Sequence, residues 1–180
     1  MTTTLLPMVA AVLDRLGARF ALIGAAALAV HGVARSTFDL DLLTTDPAVL
    51  DPSLWAGLSE DDSVVVSVRK GDADDPLAGL VRIEAQGERA IDVVVGRSGW
   101  QTEAVAAAQM VDVAGVTVPV VGPADLVLLK LYAGGAQDLW DIEQLLAVAD
   151  RPWLVAEVNR RLDHLPPDAR RAWARVLEGR

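Results

Sequence analysis

Asp39 and Asp41 flank Leu40 in the run Phe38-Asp39-Leu40-Asp41-Leu42. Strand side chains alternate between faces, so both carboxylates would project from one side while Leu40 and Leu42 pack on the other. Two carboxylates this close repel each other unless a proton or a cation separates them. Mg²⁺ meets that need, because it takes one or two carboxylates together with phosphate oxygens. A strand whose outer face is simply solvated meets it as well. Upstream, Ile23-Gly24-Ala25 ends an apolar strand and opens a helix. Backbone amides at such a turn, with no β-carbon at Gly24, form a cradle for phosphate; a glycine chosen for packing is the plain alternative. The chain then returns through Arg35, Ser36 and Thr37 directly before the acids. An anion site and a cation site on successive turns of one β-α-β unit suit a magnesium-bound nucleoside triphosphate.

Four further charged residues stand out. Asp92 interrupts the β-forming run Ala90–Val95, and a lone carboxylate in a central strand is costly unless it is paired or metal-bound. It either completes a metal site and helps activate an attacking hydroxyl, or it is an arginine-paired strand acid. Lys130, one of two lysines against fourteen arginines, ends the apolar run Leu126–Leu129. It either snorkels from an apolar face or presents a compact ammonium to phosphate. Asp138 and Asp141, three residues apart, share a helix face, from which Asp138 can orient Lys130 or bind a hydroxyl or a base; capping and surface roles are the alternatives. His31 reads as a structural histidine.

The elements that must position these groups follow from periodicity. Apolar spacing predicts a helix over residues 4–17 closed by Gly17, a strand at Phe20–Ile23, a helix from Ala25 to Val33 and a strand at Phe38–Leu43. Asp46-Pro47 starts a short helix ending near Leu58, and an acidic loop, Ser59–Ser63, precedes a strand at Val64–Val68. Strands at Leu80–Ala85 and Ala90–Val95 join through Gln86-Gly87. A helix near Gln101–Gln109 leads to a hairpin, Val111–Val113 and Val116–Val121, turned by Ala114-Gly115. From Pro123 the pattern is helical, broken at Gly134-Gly135, resumed over Ala136–Val148, and continued by helices near Pro152–Leu162 and Pro167–Leu177. This order predicts an α+β fold: a mixed sheet flanked by helices, with residues 1–122 as core and residues 123–180 as a helical region packed on it in a single compact unit.

The run Leu22 through Asp41, with Asp92 and the stretch Asp125–Asp141, resembles the DNA-polymerase-β-like nucleotidyltransferases, and more narrowly their AbiEii-type toxin–antitoxin branch. The resemblance spans roughly residues 19–148. It implies a nucleotidyltransferase fold, Mg²⁺ and a nucleoside triphosphate. Asp39, Asp41 and Asp92 would be the catalytic and metal-binding acids. Gly24, Ala25, Arg35, Thr37, Lys130 and Asp138 would bind nucleotide. The acceptor would be an RNA end such as that of tRNA, a protein or a small molecule, and an antitoxin protein would be a partner. Gly24-Ala25 stands where the family has Gly-Gly or Gly-Ser, and Gly134-Gly135 where the branch carries an arginine. These departures motivate a second expectation, a non-catalytic nucleotide-binding or antitoxin-like protein. A third is an interaction domain that dimerises through its C-terminal helices.

Composition narrows the field. The chain of 180 residues has no cysteine and two histidines, which excludes disulfide frameworks, thiol nucleophiles and Cys- or His-rich metal sites. A net charge of -9 disfavours nonspecific binding to nucleic acid, although the last thirty residues hold seven of the fourteen arginines. Arg160, Arg161, Arg170, Arg171 and Arg175 would supply contact to an RNA acceptor, or form a solvated helix face. No basic leader precedes an apolar stretch, and Phe20–Ala34 is too short for a membrane span of about 20 residues. The expectation is a cytoplasmic protein with no membrane partner.

Overall fold

The computed structural model describes residues 5–37, 39–58 and 63–179, so Phe38 and most of the acidic loop lie outside the described residues. The chain divides into two compact units, one formed by residues 1–26 and 36–121, the other by residues 27–35 and 122–180.

Among the described residues the first unit carries seven strands: β1 (Phe20–Ile23), β2 (Asp39–Thr44), β3 (Val64–Lys70), β4 (Leu77–Ala85), β5 (Ala90–Gly96), β6 (Gln109–Val113) and β7 (Val116–Val120). They form one sheet in the order β3-β4-β5-β2-β1-β7-β6. β2 pairs with β5, and β1 with β7, in parallel; the other neighbours are antiparallel. This is the mixed α+β sheet expected from the sequence. Helices α1 (Leu5–Leu16) and α3 (Gly99–Ala106) belong to the same unit. α1 buries Leu5, Leu6, Val9, Val12 and Leu13, the apolar stripe seen in its spacing, and stops at Gly17, whose φ of +76° few other residues tolerate. Along β2, Leu40 and Leu42 are buried while Asp39 and Asp41 are half-buried. β5 repeats this with Ile91 and Val93 against Asp92.

The strand–helix–strand connection departs from expectation. β2 returns antiparallel to β1, with Ile23 opposite Asp41, rather than as a parallel crossover. The helix between them, α2 (Gly24–Val30), is seven residues long and ends before Val33, because the chain turns at His31 and Gly32, where φ is +88°. Residues 46–58 form two single turns of 3₁₀ helix, Pro47–Leu50 and Pro52–Trp55, not one helix. Asp51 precedes Pro52 and is held extended, as a pre-proline residue must be, so it caps the second turn instead of continuing the first. Gln109 begins β6, paired with Val120, rather than ending α3.

The second unit contains α4 (Pro123–Ala133), α5 (Ala136–Val148), α6 (Arg151–Arg161) and α7 (Pro167–Glu178), close to their expected spans. Gly134, at φ +73°, donates its N–H to the Lys130 carbonyl and closes α4 in a left-handed cap. No helix among the described residues is long and apolar enough to cross a membrane.

Leu22 is fully buried in β1, opposite Leu42 and beside Val120. Replacing it by alanine should cost about 2–5 kcal/mol, read as a lowered urea midpoint with an unchanged slope.

Candidate functional site

Strand register assembles the acidic site. In the parallel pair β2–β5, Asp41 lies opposite Asp92 and Asp39 opposite Ala90, so all three carboxylates leave the same face of the sheet. The other face carries Leu40, Leu42, Ile91 and Val93, all at 4% exposure or less. That apolar layer fixes the register, since a one-residue slip would bury the acids.

A basic residue that the sequence reading did not single out completes the group. Arg82 on β4 sits opposite Asp92 across the β4–β5 hairpin. Its Nη1 donates to Asp92 Oδ2 at 2.9 Å and to Asp39 Oδ2 at 3.5 Å, while Nη2 reaches Asp39 Oδ1 at 3.5 Å. Nε donates to Glu84 Oε1 at 3.2 Å. The signal was present in the sequence: a hairpin symmetric about Gly87 places position 82 opposite position 92. The arginine-paired reading of Asp92 is thus realised geometrically. Among the described residues no group of three or more His, Asp or Glu side chains is gathered tightly enough to hold a metal ion in this arrangement.

Asp92 is nonetheless incompletely satisfied. Its Oδ1 is buried and has no hydrogen-bond partner. Burial pushes its carboxyl above the ordinary aspartate value, and the Asp39 charge adds to this, although Arg82 pulls the other way. Carboxylate is the donor type that a hard oxygen-seeking cation takes, and the orphaned Asp92 oxygen is open to one, although the three acids as they stand are not drawn together around a common point.

Gly24 follows Ile23, the residue opposite Asp41. Its φ is +64°, and a β-carbon there would come within 2.0 Å of Asp41 Oδ2. Glycine is therefore required twice, by backbone conformation and by the close approach of the carboxylate. The backbone of this turn therefore lies directly against the Asp41 carboxylate. Ala25 is buried. Thr37 spends its hydroxyl on its own turn, donating to the Asp39 carbonyl at 2.8 Å and accepting from the Asp39 N–H at 3.2 Å. That bond shapes the entry into β2.

The second unit gathers the remaining candidates. Lys130, at 6% exposure, places Nζ 3.0 Å from Asp138 Oδ1 and 2.6 Å from Asp141 Oδ2. Arg35 Nη1 lies 2.6 Å from the same Asp141 oxygen. Asp138 also accepts the Gly135 N–H at 3.1 Å, so it caps α5 while holding the lysine. Asp141 is wholly buried, and its pairing with Arg35 is a long-range contact that local spacing does not show. Two cations and two carboxylates balance here, as buried charge requires. Much of the C-terminal basic tail is also spoken for: Arg160 pairs with Glu157, Arg161 with the buried Asp125, Arg171 with Asp168, and Arg170 with Asp163 at 3.6 Å.

The chain matches no protein-family model and no curated protein. Solved structures do match. An antigenic nucleotidyltransferase-like protein from Paracoccidioides brasiliensis superposes with a TM-score of 0.59 at 17% identity, over 98% of this chain and 87% of that one. The antibiotic-resistance factor ANT(2'')-Ia gives 0.57 at 15% identity, over 89% and 90%; a second structure of it holds adenylyl-2''-tobramycin. MenT4, a nucleotidyltransferase toxin from Mycobacterium tuberculosis, gives 0.50 at 19% identity, over 78% of this chain and 55% of that one. At such identities the likeness establishes the fold, which is that of the nucleotidyltransferases.

Two outcomes follow from this geometry. Because the native carboxyl of Asp92 has a raised pKa, the folded state holds its proton more tightly than the unfolded one, and stability falls as pH rises from 3.8 through the raised value. Asp92→Asn should therefore raise the thermal midpoint at pH 7 relative to the parent, with the gap narrowing on acidification. Gly24→Ala should lose at least about 1 kcal/mol through its left-handed φ alone, and more through the Asp41 clash, measured by denaturant unfolding.

Proposed function

We propose that the protein is a Mg²⁺-dependent nucleotidyltransferase that moves a nucleoside monophosphate from a nucleoside triphosphate to an acceptor hydroxyl. The observation that carries this reading is the β2–β5 register, which brings Asp39, Asp41 and Asp92 to one sheet face with a buried oxygen of Asp92 unsatisfied. The fold shared with nucleotidyltransferases supports it.

Asp39, Asp41 and Asp92 would hold the divalent ion, whose contribution when bound is to neutralise the triphosphate and the charge that develops at the α-phosphate. The acceptor oxygen forms a bond to the α-phosphorus, the α–β phosphoanhydride bond breaks, and pyrophosphate leaves. The proton released by the acceptor passes to a carboxylate of the site. Asp92 is suited to take it, since burial makes it a stronger base than an exposed aspartate. Lys130, held by Asp138 and Asp141, serves nucleotide binding as a compact cation, and Gly24 is kept small so that Asp41 retains its position.

The acceptor is a hydroxyl of a small molecule, a protein or an RNA end. Adenylyl-tobramycin on ANT(2'')-Ia supports the first, and the toxin MenT4 supports a role as the toxin of a toxin–antitoxin pair, with an antitoxin protein as partner. Of the tail arginines, Arg161 is held by the buried Asp125, whereas Arg160, Arg170 and Arg171 are exposed and engaged only in surface pairs, which leaves them able to contact RNA. A second reading, a non-catalytic nucleotide-binding or antitoxin-like protein, is favoured by one observation: Arg82 already pairs with Asp39 and Asp92, where a metal ion would sit.

Incubation with α-labelled triphosphates, Mg²⁺ and candidate acceptors separates the two. Label transfer should occur and should fall by about 100-fold or more in Asp41→Asn, as when a group stabilising the transition state is removed. Nucleotide binding without transfer under any divalent metal would favour the second reading. Lys130→Met should weaken nucleotide binding by about tenfold in calorimetry, the loss of one charge-assisted contact.

A further inference from the structure

We propose that Arg82 is the resident counter-cation of the carboxylate face, displaced when a divalent ion enters, and that it thereby sets the affinity of the site for that ion. This rests on the nucleotidyltransferase reading of the three acids.

The guanidinium occupies the position by construction. The β4–β5 register puts Arg82 opposite Asp92, and its fork spans to Asp39 on β2, one strand beyond β5. The pairing is loose: both contacts to Asp39 stand at 3.5 Å, the outer limit of a hydrogen bond, and the buried Asp92 Oδ1 receives no donor, as is also true of Asp141 Oδ1 in the second unit, where two cations face the acids rather than one. One delocalised positive charge thus underfills a face that carries at least two carboxylates within its reach, and a doubly charged oxygen-seeking ion would fill it better.

The means of departure is also in place. The Arg82 side chain is 34% exposed, so it can move without opening the core. Glu84, two residues along on the same face of β4 and 55% exposed at its side chain, binds Nε at 3.2 Å. Release of the Nη atoms from Asp39 and Asp92 therefore leaves the guanidinium with a carboxylate partner. Arg82 acts as a positioning residue in this account: it keeps the acids in register while no metal is bound and competes with metal for them.

Mn²⁺ binding followed by electron paramagnetic resonance tests this without reference to turnover. Arg82→Gln should bind Mn²⁺ about threefold to tenfold more tightly than the parent, the value of removing one competing surface charge pair. Arg82→Lys should tighten binding by less, because it keeps the charge but loses the fork that spans two acids. Arg97→Gln is the control for net charge, since Arg97 donates to the carbonyls of Gly71, Asp72 and Ala73; it should bind as the parent does. Equal or weaker binding in Arg82→Gln, with the parent still binding in an Asp92-dependent manner, overturns the role of Arg82 alone. Absence of Mn²⁺ binding in every form overturns the metal reading as well. Should Arg82→Gln lose its fold, the Arg82→Lys titration decides: tightening supports the proposal and equality overturns it.

Discussion

Like charges crowded on one face of a sheet are the constraint on which the site depends. Asp41 lies opposite Asp92 on a parallel neighbour, with Asp39 two residues away on the same side. Nothing in the local sequence makes that favourable. It is imposed from the other face, where Leu40, Leu42, Ile91, Val93, Val81 and Ile83 form a dry layer that permits only one register. Hydrophobic burial holds the strands where electrostatics alone would separate them. Arg82 relieves part of the repulsion, and the rest persists as a desolvated carboxylate whose second oxygen is unmatched.

The same pattern of stability set against chemistry recurs at Gly24. A left-handed glycine packed against Asp41 admits no side chain, yet it allows β1 to end beside the acid. In the second unit the cost of burying charge is met differently. Lys130 and Asp141 are buried with their charges balanced by Arg35 and Asp138, all the contacts to Asp141 falling on Oδ2 while its buried Oδ1 has no hydrogen-bond partner. The two clusters differ in charge count: two cations face two acids around Asp141, whereas Arg82 alone faces Asp39 and Asp92. Asp125, buried against Arg161, belongs to the balanced kind: its raised pKa comes first from burial, and the guanidinium opposes it.

Local pattern made most of the fold legible. Alternation along β2 put Asp39 and Asp41 on one side and along β5 set Asp92 apart from Ile91 and Val93, while the β2–β5 register shows that the three share a face; glycines at positive φ marked the ends of α1 and α4. What local pattern missed depends on partners distant in sequence. The antiparallel return of β2 requires knowing that the chain turns early at Gly32, and the split of residues 46–58 requires weighing Pro52 as a restraint on Asp51. Arg82 was legible through the symmetry of the Gly87 hairpin, but only once that register is drawn out residue by residue. The joint hold of Arg35 and Lys130 on Asp141 spans 106 residues from Arg35 and has no local signature.

The account turns on whether the three acids share a divalent ion. A crystal soaked with Mn²⁺ and a triphosphate analogue that cannot release pyrophosphate gives the most direct answer through anomalous scattering. The account predicts a manganese peak within coordination distance of carboxylate oxygens from Asp39, Asp41 and Asp92, with the Arg82 guanidinium withdrawn toward Glu84. A peak elsewhere, or no peak with Arg82 still bridging Asp39 and Asp92, would contradict it.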